Sequence, residues 1–119
     1  MNTQGAEEEL LKLLKENKDK QVIVEGKRDK NALCLLGFKK IITLNKGLYE
    51  TTEKLKEKEV LILTDFDPEG KKIAKKLNSF LQPQRYKVDR ETRRKIGFVF
   101  IRLKIRKIEE LRSVLKWLN

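Results

Sequence analysis

The sequence predicts a single α/β domain in which a mostly parallel sheet is flanked by helices. Three short apolar runs, at residues 21–25, 40–44 and 60–63, have the length and composition of buried strands. Segments with helical periodicity separate them, and the links are only a few residues long. Because strand–helix–strand units with short links form right-handed crossovers, the three strands are expected to run parallel. A chain of 119 residues can bury a core in one such domain.

The first half of the chain contains signals for three helices. One is predicted over residues 6–15, where glutamates occupy the first turn and leucines form one face, with Thr3 as its cap. A second, residues 28–36, follows the first strand. A third, residues 49–56, follows a turn at residues 45–47.

The second half is predicted to begin with a long helix after the third strand. Asp67 is its expected cap and Pro68 its first residue, and the helix should run to about Leu81. The later predicted elements are an edge strand at 85–88, a short basic helix at 90–96 capped by Asp89 and closed by Gly97, a strand at 98–105, and a final helix at 108–118. The strand at 98–105 is predicted because apolar and basic residues alternate there.

Positive charge is concentrated in the second half. The chain has 29 Lys and Arg against 18 Asp and Glu, a net charge of +11. Residues 1–70 carry 13 basic and 14 acidic side chains, whereas residues 71–119 carry 16 and 4. A basic half next to an acidic edge favours a polyanionic partner, most simply nucleic acid. The alternative is a solvated basic face without a ligand.

Composition argues against several kinds of site. The chain has no histidine and one cysteine, Cys34, which argues against a Ser/His/Asp triad and a zinc site. Cys34 lies in an apolar helical stretch and is expected to be a buried, inert thiol. No apolar run approaches the roughly 18 to 20 residues of a membrane span, and the acidic N-terminal segment is unlike a signal peptide. We therefore expect a cytoplasmic protein that does not contact a membrane.

Carboxylates at two strand ends are the candidates for a functional site. Glu25 closes the first strand, Asp65 follows the strand at 60–63, and Asp67 lies two residues further on. If the sheet has a flavodoxin-like order, these strands are neighbours, and their carboxyl ends meet at the crevice where open α/β sheets bind ligands. The alternative is structural, with Asp67 only capping a helix after a turn.

Three carboxylates at one edge of a sheet would repel one another unless a cation compensates them. All-oxygen ligation selects Mg²⁺, or Mn²⁺, and Mg²⁺ keeps several waters and leaves room for substrate phosphates. Such an ion can polarise a phosphoryl oxygen and activate a water. Lys27 and Arg28, just after Glu25, are placed to contact a phosphate.

Two motifs together resemble the toprim domain of topoisomerases, bacterial primases, OLD-type nucleases and the ribonuclease that matures 5S ribosomal RNA. The first is a hydrophobic strand followed by Glu-Gly (VIVEGKRD, residues 22–29). The second is a hydrophobic strand followed by Asp-x-Asp-x-x-Gly (LILTDFDPEG, residues 61–70). Within the family, the EGKRD form and the short chain are most similar to the small stand-alone proteins called small primase-like, and next to the 5S maturase.

The resemblance implies a compact, Rossmann-like toprim domain over residues 1–119. Its core motifs would lie at 21–81, followed by a basic C-terminal extension at 82–119. The separate tyrosine-bearing domain of topoisomerases and the further catalytic subdomain of primases do not fit in this length.

The resemblance also implies roles for single residues. Glu25 would be a metal ligand or a general acid/base, and Asp65 and Asp67 would bind magnesium. Asp29 matches a frequent acidic position in the family, and a helix cap is the alternative role for it. The family's turn glycines correspond to Gly26 and Gly70.

Phosphodiester hydrolysis is the first functional hypothesis. The chain would be a Mg²⁺-dependent nuclease on RNA or DNA, with Glu25, Asp65 and Asp67 at the metal and Lys27 as a further catalytic residue at the scissile phosphate. The residues expected to bind nucleic acid are Lys27, Arg28, Lys71, Arg90, Arg93, Arg94 and Lys95. The alternatives are a non-catalytic nucleic-acid or ribonucleoprotein binding module, and an accessory subunit that needs a protein partner from a primase-type or topoisomerase-type system.

Overall fold

The computed structural model describes residues 4–44 and 47–115 and has the predicted alternation of strands and helices. Its elements in chain order are α1 (Gln4–Glu16), β1 (Val22–Val24), α2 (Lys27–Leu35), β2 (Ile41–Thr43), α3 (Leu48–Glu53), β3 (Glu59–Ile62), α4 (Pro68–Leu81), β4 (Lys87–Val88), α5 (Arg90–Leu103) and α6 (Leu111–Val114). Short 3₁₀ turns at Gln82–Gln84 and Ile108–Glu110 precede β4 and α6. The predicted cap Thr3 and turn residues Asn45 and Lys46 lie outside the described residues.

The four strands pair in parallel in the order β2-β1-β3-β4. Val22 of β1 is in register with Ile41 of β2 on one side and Leu61 of β3 on the other. The flavodoxin-like neighbourhood of β1 and β3 is therefore confirmed, and β4 is the predicted edge strand. As a result, the chain segments that follow β1 and β3 leave the sheet side by side.

Helices cover both faces of the sheet. Val22 and Val24 of β1 belong to a core cluster with residues of α1, α2, α5 and α6, whereas Ile23 packs with Val60, Ile62 and residues of α4 on the other face. Burial on both faces explains why these strands read as unbroken apolar runs rather than as an alternating pattern. The layers are thus helix, sheet and helix.

The predicted helix over 90–96 is present, but its predicted end at Gly97 and the predicted strand at 98–105 are wrong, because one helix, α5, continues to Leu103. Asp89 caps it as predicted, by accepting the Thr92 N–H at 3.1 Å. The residues of α5 that pack on the core are Ile96, Val99, Phe100 and Leu103. Their i, i+3, i+4, i+7 spacing is helical, and the alternation that suggested a strand also mixes in residues from the exposed side of this helix.

Gly97 lies inside α5 instead of ending it. A Cβ at this position would lie 3.0 Å from Cε1 of Phe66, so the Phe66 ring would have to shift by a few tenths of an ångström to accept a larger residue. The helix ends at Lys104, whose φ of 59° is left-handed.

Two further expectations change in the structure. The final helix, predicted over 108–118, is a 3₁₀ turn followed by the single α-helical turn of α6, and residues after Leu115 lie outside the described part. Cys34 is exposed, not buried, because it lies on the outer side of α2. Within residues 4–44 and 47–115, no helix is both long enough and apolar enough to cross a membrane.

Candidate active site at the carboxyl ends of β1 and β3

A hydrogen bond joins the two carboxylate-bearing strand ends. Oε2 of Glu25, after β1, accepts the main-chain N–H of Asp65, after β3, at 2.8 Å. The parallel pairing of β1 and β3 is what places these residues, 40 positions apart, next to each other. The structure therefore brings together the first two carboxylates that the sequence singled out.

Asp67, the third carboxylate, begins α4. Its Oδ1 accepts the Gly70 N–H at 2.7 Å, which is the expected N-cap bond. Glycine is required at position 70 for a steric reason, since an added Cβ would lie 2.0 Å from the carbonyl oxygen of Asp65. Gly26 differs, because its φ of −153° is ordinary extended backbone and an added Cβ would meet nothing within 4 Å.

Asp29 is a fourth carboxylate at this edge. It is buried in the first turn of α2, and its Oδ2 accepts the Gly26 N–H at 3.2 Å. The helix-cap role that the sequence left open for it is therefore present. Burial raises the pKa of Asp29, and the charges of Glu25 and Glu109 raise it further.

Asp65 lies at the centre of this negative cluster. Burial, first, and then the charges of Asp29, Glu25 and Asp67 raise its pKa to about 6. One hydrogen bond opposes this shift, the 2.8 Å bond from the Ile108 N–H to Asp65 Oδ1. A carboxylate held among like charges is a position where a cation would bind favourably.

The segment after α5 holds the Asp65–Asp67 turn from the other side. Ile108 donates its N–H to the Asp65 carboxylate, and the Arg106 carbonyl accepts the Phe66 N–H at 2.6 Å. These contacts are not predictable from the sequence. Both use main-chain groups, so no residue type at positions 106 and 108 signals them.

Arg93 braces the same turn from within α5. Three of its five N–H groups donate to the carbonyls of Ile62, Thr64 and Asp65, at 2.9 to 3.2 Å. Its guanidinium lies 4.3 Å from the centroid of the Phe66 ring. The Phe66 ring in turn packs against the ring of Phe100. Burial lowers the pKa of Arg93 to about 10, against the opposing effect of Glu25 and Asp65, so the side chain stays charged at neutral pH.

The donor set fits a hydrated hard cation. In Glu25, Asp65 and Asp67, one carboxylate oxygen accepts a main-chain N–H, and the other has no hydrogen-bond partner among the described residues. In that part of the chain, no three acidic or cysteine side chains are grouped closely enough to hold an ion by themselves. Mg²⁺ bound through one or two carboxylates, with waters completing its shell, is compatible with this arrangement.

The other predicted site residues surround the turn at different distances. Lys27 is exposed at the first position of α2, directly after the Glu25 segment. Arg28, also exposed, lies 3.9 Å from Glu109 in a weak surface ion pair. Lys95 is exposed, and its Nζ lies 3.7 Å from Oε1 of Glu91 one helical turn earlier.

A groove of about 1400 Å³ opens beside the turn, between α4 and α5. Asp67 and Phe66 lie at one end of it, and Lys71, Arg90 and Arg94 are among its lining residues. The structure thus places these three predicted nucleic-acid-binding residues along one continuous surface that reaches the carboxylates.

Comparison with known proteins relates the chain to one domain family and to archaeal proteins of similar length. Residues 20–102 match the Toprim domain, which extends the similarity from β1 into α5. A UPF0292 protein of Pyrococcus furiosus is 41% identical over 95 residues, covering 77% of this chain and 71% of that protein. A UPF0292 protein of Methanocaldococcus jannaschii is 36% identical over 115 residues, 89% of either chain.

A solved structure has the same fold. It is a protein from Aquifex aeolicus that aligns with a TM-score of 0.73 and 31% identity. The alignment covers 87% of this chain and 95% of that one.

Proposed function

The chain belongs to the Toprim domain family, and from that premise we propose that it is a Mg²⁺-dependent phosphodiester hydrolase acting on nucleic acid. The observation that carries the proposal is the hydrogen bond from the Asp65 N–H to Glu25. It ties the Glu25 carboxylate to the main chain of Asp65, at the strand ends where open α/β sheets bind ligands. The basic groove that starts at Asp67 supplies the surface for a polyanion.

In this proposal, Mg²⁺, or Mn²⁺, would be held by the carboxylates of Glu25, Asp65 and Asp67, one or two of them directly and the others through waters of the ion. Bound there, the ion supplies Lewis-acid polarisation of a phosphoryl oxygen and a water of lowered pKa. The alternative role of Glu25, whose carboxylate lies at the turn, is that of a general base that would accept a proton from an attacking water. Lys27, exposed beside Glu25, offsets negative charge on the scissile phosphate.

The exposed cations bind the nucleic-acid backbone. Arg90, Arg94 and Lys71 line the groove, and Arg28 and Lys95 add positive charge outside it. Arg93 differs from these, because most of its donors are already used by carbonyls of the Asp65 turn. We assign Arg93 a positioning role, in which it holds the carboxylates in place.

A cleavage panel tests the proposal. Structured RNA, single-stranded DNA and duplex DNA are each incubated with the protein in Mg²⁺, Mn²⁺ or EDTA. We expect products that require the metal and that disappear with Asp65→Asn, because asparagine can still accept the Ile108 N–H but brings no charge for the ion. Binding of the same substrates should be largely unchanged in this variant.

The matched control is Asp19→Asn, the same change at an exposed aspartate in the turn after α1. It should cleave like the parent protein. Products that persist in EDTA, or that Asp65→Asn forms at the parent rate, would contradict the proposed hydrolysis.

A non-catalytic nucleic-acid binding module is the second candidate. It is favoured by one observation: among the described residues, no three acidic side chains are close enough to hold an ion without water or substrate. Metal-independent binding without products in any arm of the panel would support this candidate over the hydrolase.

A further inference from the structure

The groove between α4 and α5 is larger than an ion or a single nucleotide needs. Its volume of about 1400 Å³ exceeds the roughly 300 to 1000 Å³ of typical small-molecule pockets. Its lining includes Phe66 and Asp67 of the carboxylate turn, Arg90 at the start of α5, and Lys104 and Lys107 of the segment that holds that turn. Its volume therefore suits a ligand larger than one nucleotide that lies beside the carboxylate turn.

The groove carries an excess of positive charge. Its basic lining residues are Lys71, Lys75, Arg90, Arg93, Arg94, Lys104, Arg106 and Lys107. Its acidic lining residues are Asp67, Asp89, Glu91 and Glu110.

The acidic residues of the groove are engaged within the protein, whereas most of the basic ones are not. Asp67 and Asp89 cap helices, and Glu110 accepts the N–H groups of Arg106 and Lys107. Glu91 pairs with Lys95. Within the described residues, none of the eight basic lining side chains forms a salt bridge. The free charge of the groove is therefore positive.

An aromatic ring lies exposed among these cations. Phe98, on α5, is 57% exposed, and Ile101 one turn later is 71% exposed. The guanidinium of Arg94 lies 5.8 Å from the centroid of the Phe98 ring. Exposed aromatic rings beside arginines in a basic groove are how proteins stack the bases of unpaired strands, since every base offers a π-face.

We propose that this groove binds an unpaired nucleic-acid strand, with Phe98 stacking on a base and the lysines and arginines neutralising the backbone. In a duplex the bases are stacked on each other, so Phe98 would have no face to contact. The inference rests on the proposed function in that nucleic acid is the ligand, and it adds that the substrate is single-stranded where it enters the site.

The test is a binding measurement in EDTA, where no hydrolysis occurs. Fluorescence anisotropy with a labelled oligothymidine, a labelled oligouridine and a labelled DNA duplex is compared for the full chain and for Phe98→Ala. We expect both single strands to bind about tenfold or more weakly to the variant, as loss of one stacked base predicts. The duplex affinity should stay the same, and Phe98→Trp should restore single-strand binding.

The matched control is Tyr49→Ala. Tyr49 is an aromatic residue of α3 with 71% exposure that lies outside the groove, and its removal should leave binding unchanged. Circular dichroism melting of each variant verifies that it is folded.

Several outcomes would overturn the groove assignment. They are no single-strand binding by the parent protein, equal effects of Phe98→Ala and Tyr49→Ala, duplex binding at least as tight as single-strand binding, and a Phe98-dependent association of the protein with itself. Failure of the groove is distinguishable from failure of the hydrolase. Metal-dependent cleavage together with unchanged single-strand binding by Phe98→Ala would support the hydrolase and contradict the groove proposal. Single-strand binding that depends on Phe98, without any cleavage, would support the groove proposal and contradict the hydrolase.

Discussion

Asp65 is the residue at which the requirements of folding and of ligand binding conflict. It is half-buried among three other carboxylates, and its pKa is raised to about 6. At neutral pH the side chain is therefore ionised in a place where ionisation is costly to the fold. Strongly shifted pKa values concentrate at functional sites, where burial and neighbouring like charges tune side chains to their chemical task.

The first prediction follows from the direction of this shift. Because the pKa of Asp65 is raised in the folded state, the protonated carboxyl favours folding relative to the ionised one. This contribution to stability is fully present below the unfolded pKa of about 3.8 and is lost as the pH rises through about 6. Asp65→Asn, measured in EDTA, should therefore be more stable than the parent at pH 7.5, by about 1 to 3 kcal/mol, and similar to it near pH 4. Urea unfolding at the two pH values measures the difference.

Asp19→Asn is again the control and should show no pH-dependent gain. Added Mg²⁺ should stabilise the parent protein more than Asp65→Asn, because a ligand that binds only the folded state raises its stability. A variant less stable than the parent at both pH values would contradict the assigned pKa shift.

The two motif glycines are expected to respond differently to the same substitution. Gly70→Ala should lower the free energy of unfolding by about 3 kcal/mol, because its Cβ would clash with the main chain of Asp65. Gly26→Ala places its Cβ in open space at an ordinary φ and should cost less than about 1 kcal/mol. Urea denaturation of both variants checks this, and equal losses would show that the steric reason is wrong.

At the level of elements, α5 completes the site. The sequence predicts a helix and then a strand for this segment, because a glycine at position 97 is typical of a helix end. In the structure Gly97 lets α5 pass close to Phe66, and the uninterrupted helix places Arg93 under the turn. The turn after β3 is thus held by an element that lies outside the two motifs.

Arg93→Lys tests the positioning role of α5. Lysine keeps the charge but cannot reproduce the planar fork that serves three carbonyls, so the free energy of unfolding should fall by about 2 kcal/mol. Cleavage and Mg²⁺ affinity should fall with it. The measurements are urea unfolding, cleavage rate and Mg²⁺ titration.

Arg90→Lys is the control for that experiment, because Arg90 is exposed on the same helix. It should leave stability unchanged. If Arg93→Lys instead keeps the parent stability and loses nucleic-acid binding, Arg93 is a backbone-binding residue, as the sequence alone suggested, and has no positioning role.

On the scale of the whole molecule, charge is separated along the chain and in space. The excess of positive charge lies after Gly70, and the structure gathers eight of these basic residues around one groove. Asp67 lines that groove and lies next to the other site carboxylates, whose negative charge would otherwise repel a polyanion. A cation at the carboxylates and a strand in the groove would balance each other's charges.

Salt dependence tests this arrangement. For a single strand that contacts four to six phosphates, the logarithm of the binding constant should fall against the logarithm of the salt concentration with a slope of about −3 to −4. Lys75→Ala, in the groove, should reduce the steepness by about 0.7. Lys12→Ala, exposed on α1, should not change it. A slope near zero would mean that the basic groove does not bind the backbone.

Much of the fold was predictable from local sequence patterns. The apolar runs predict the strands, and Asp67 and Asp89 are predicted as helix caps from their residue type and position. The alternation of strands and helices predicts a parallel sheet. The neighbourhood of Glu25 and Asp65 follows once β1 and β3 are adjacent. These features depend on periodicity and on which residue types satisfy helix ends, and both can be read within a few positions of the chain.

The remaining parts of the site were decided by tertiary structure. Nothing local distinguishes Arg93, which braces a turn 28 positions earlier in the chain, from Arg94, which faces the groove. The hydrogen bonds from the Asp65–Asp67 turn to the main chain of Arg106 and Ile108 do not depend on residue type, so the sequence does not predict them. The groove forms because α4 and α5 lie on either side of it. The sequence by itself determined the α/β class and the candidate carboxylates, because helix periods, strand runs and caps are local. Packing alone decided how those carboxylates are held and what surface leads to them, because contacts between distant segments depend on geometry that no single stretch encodes.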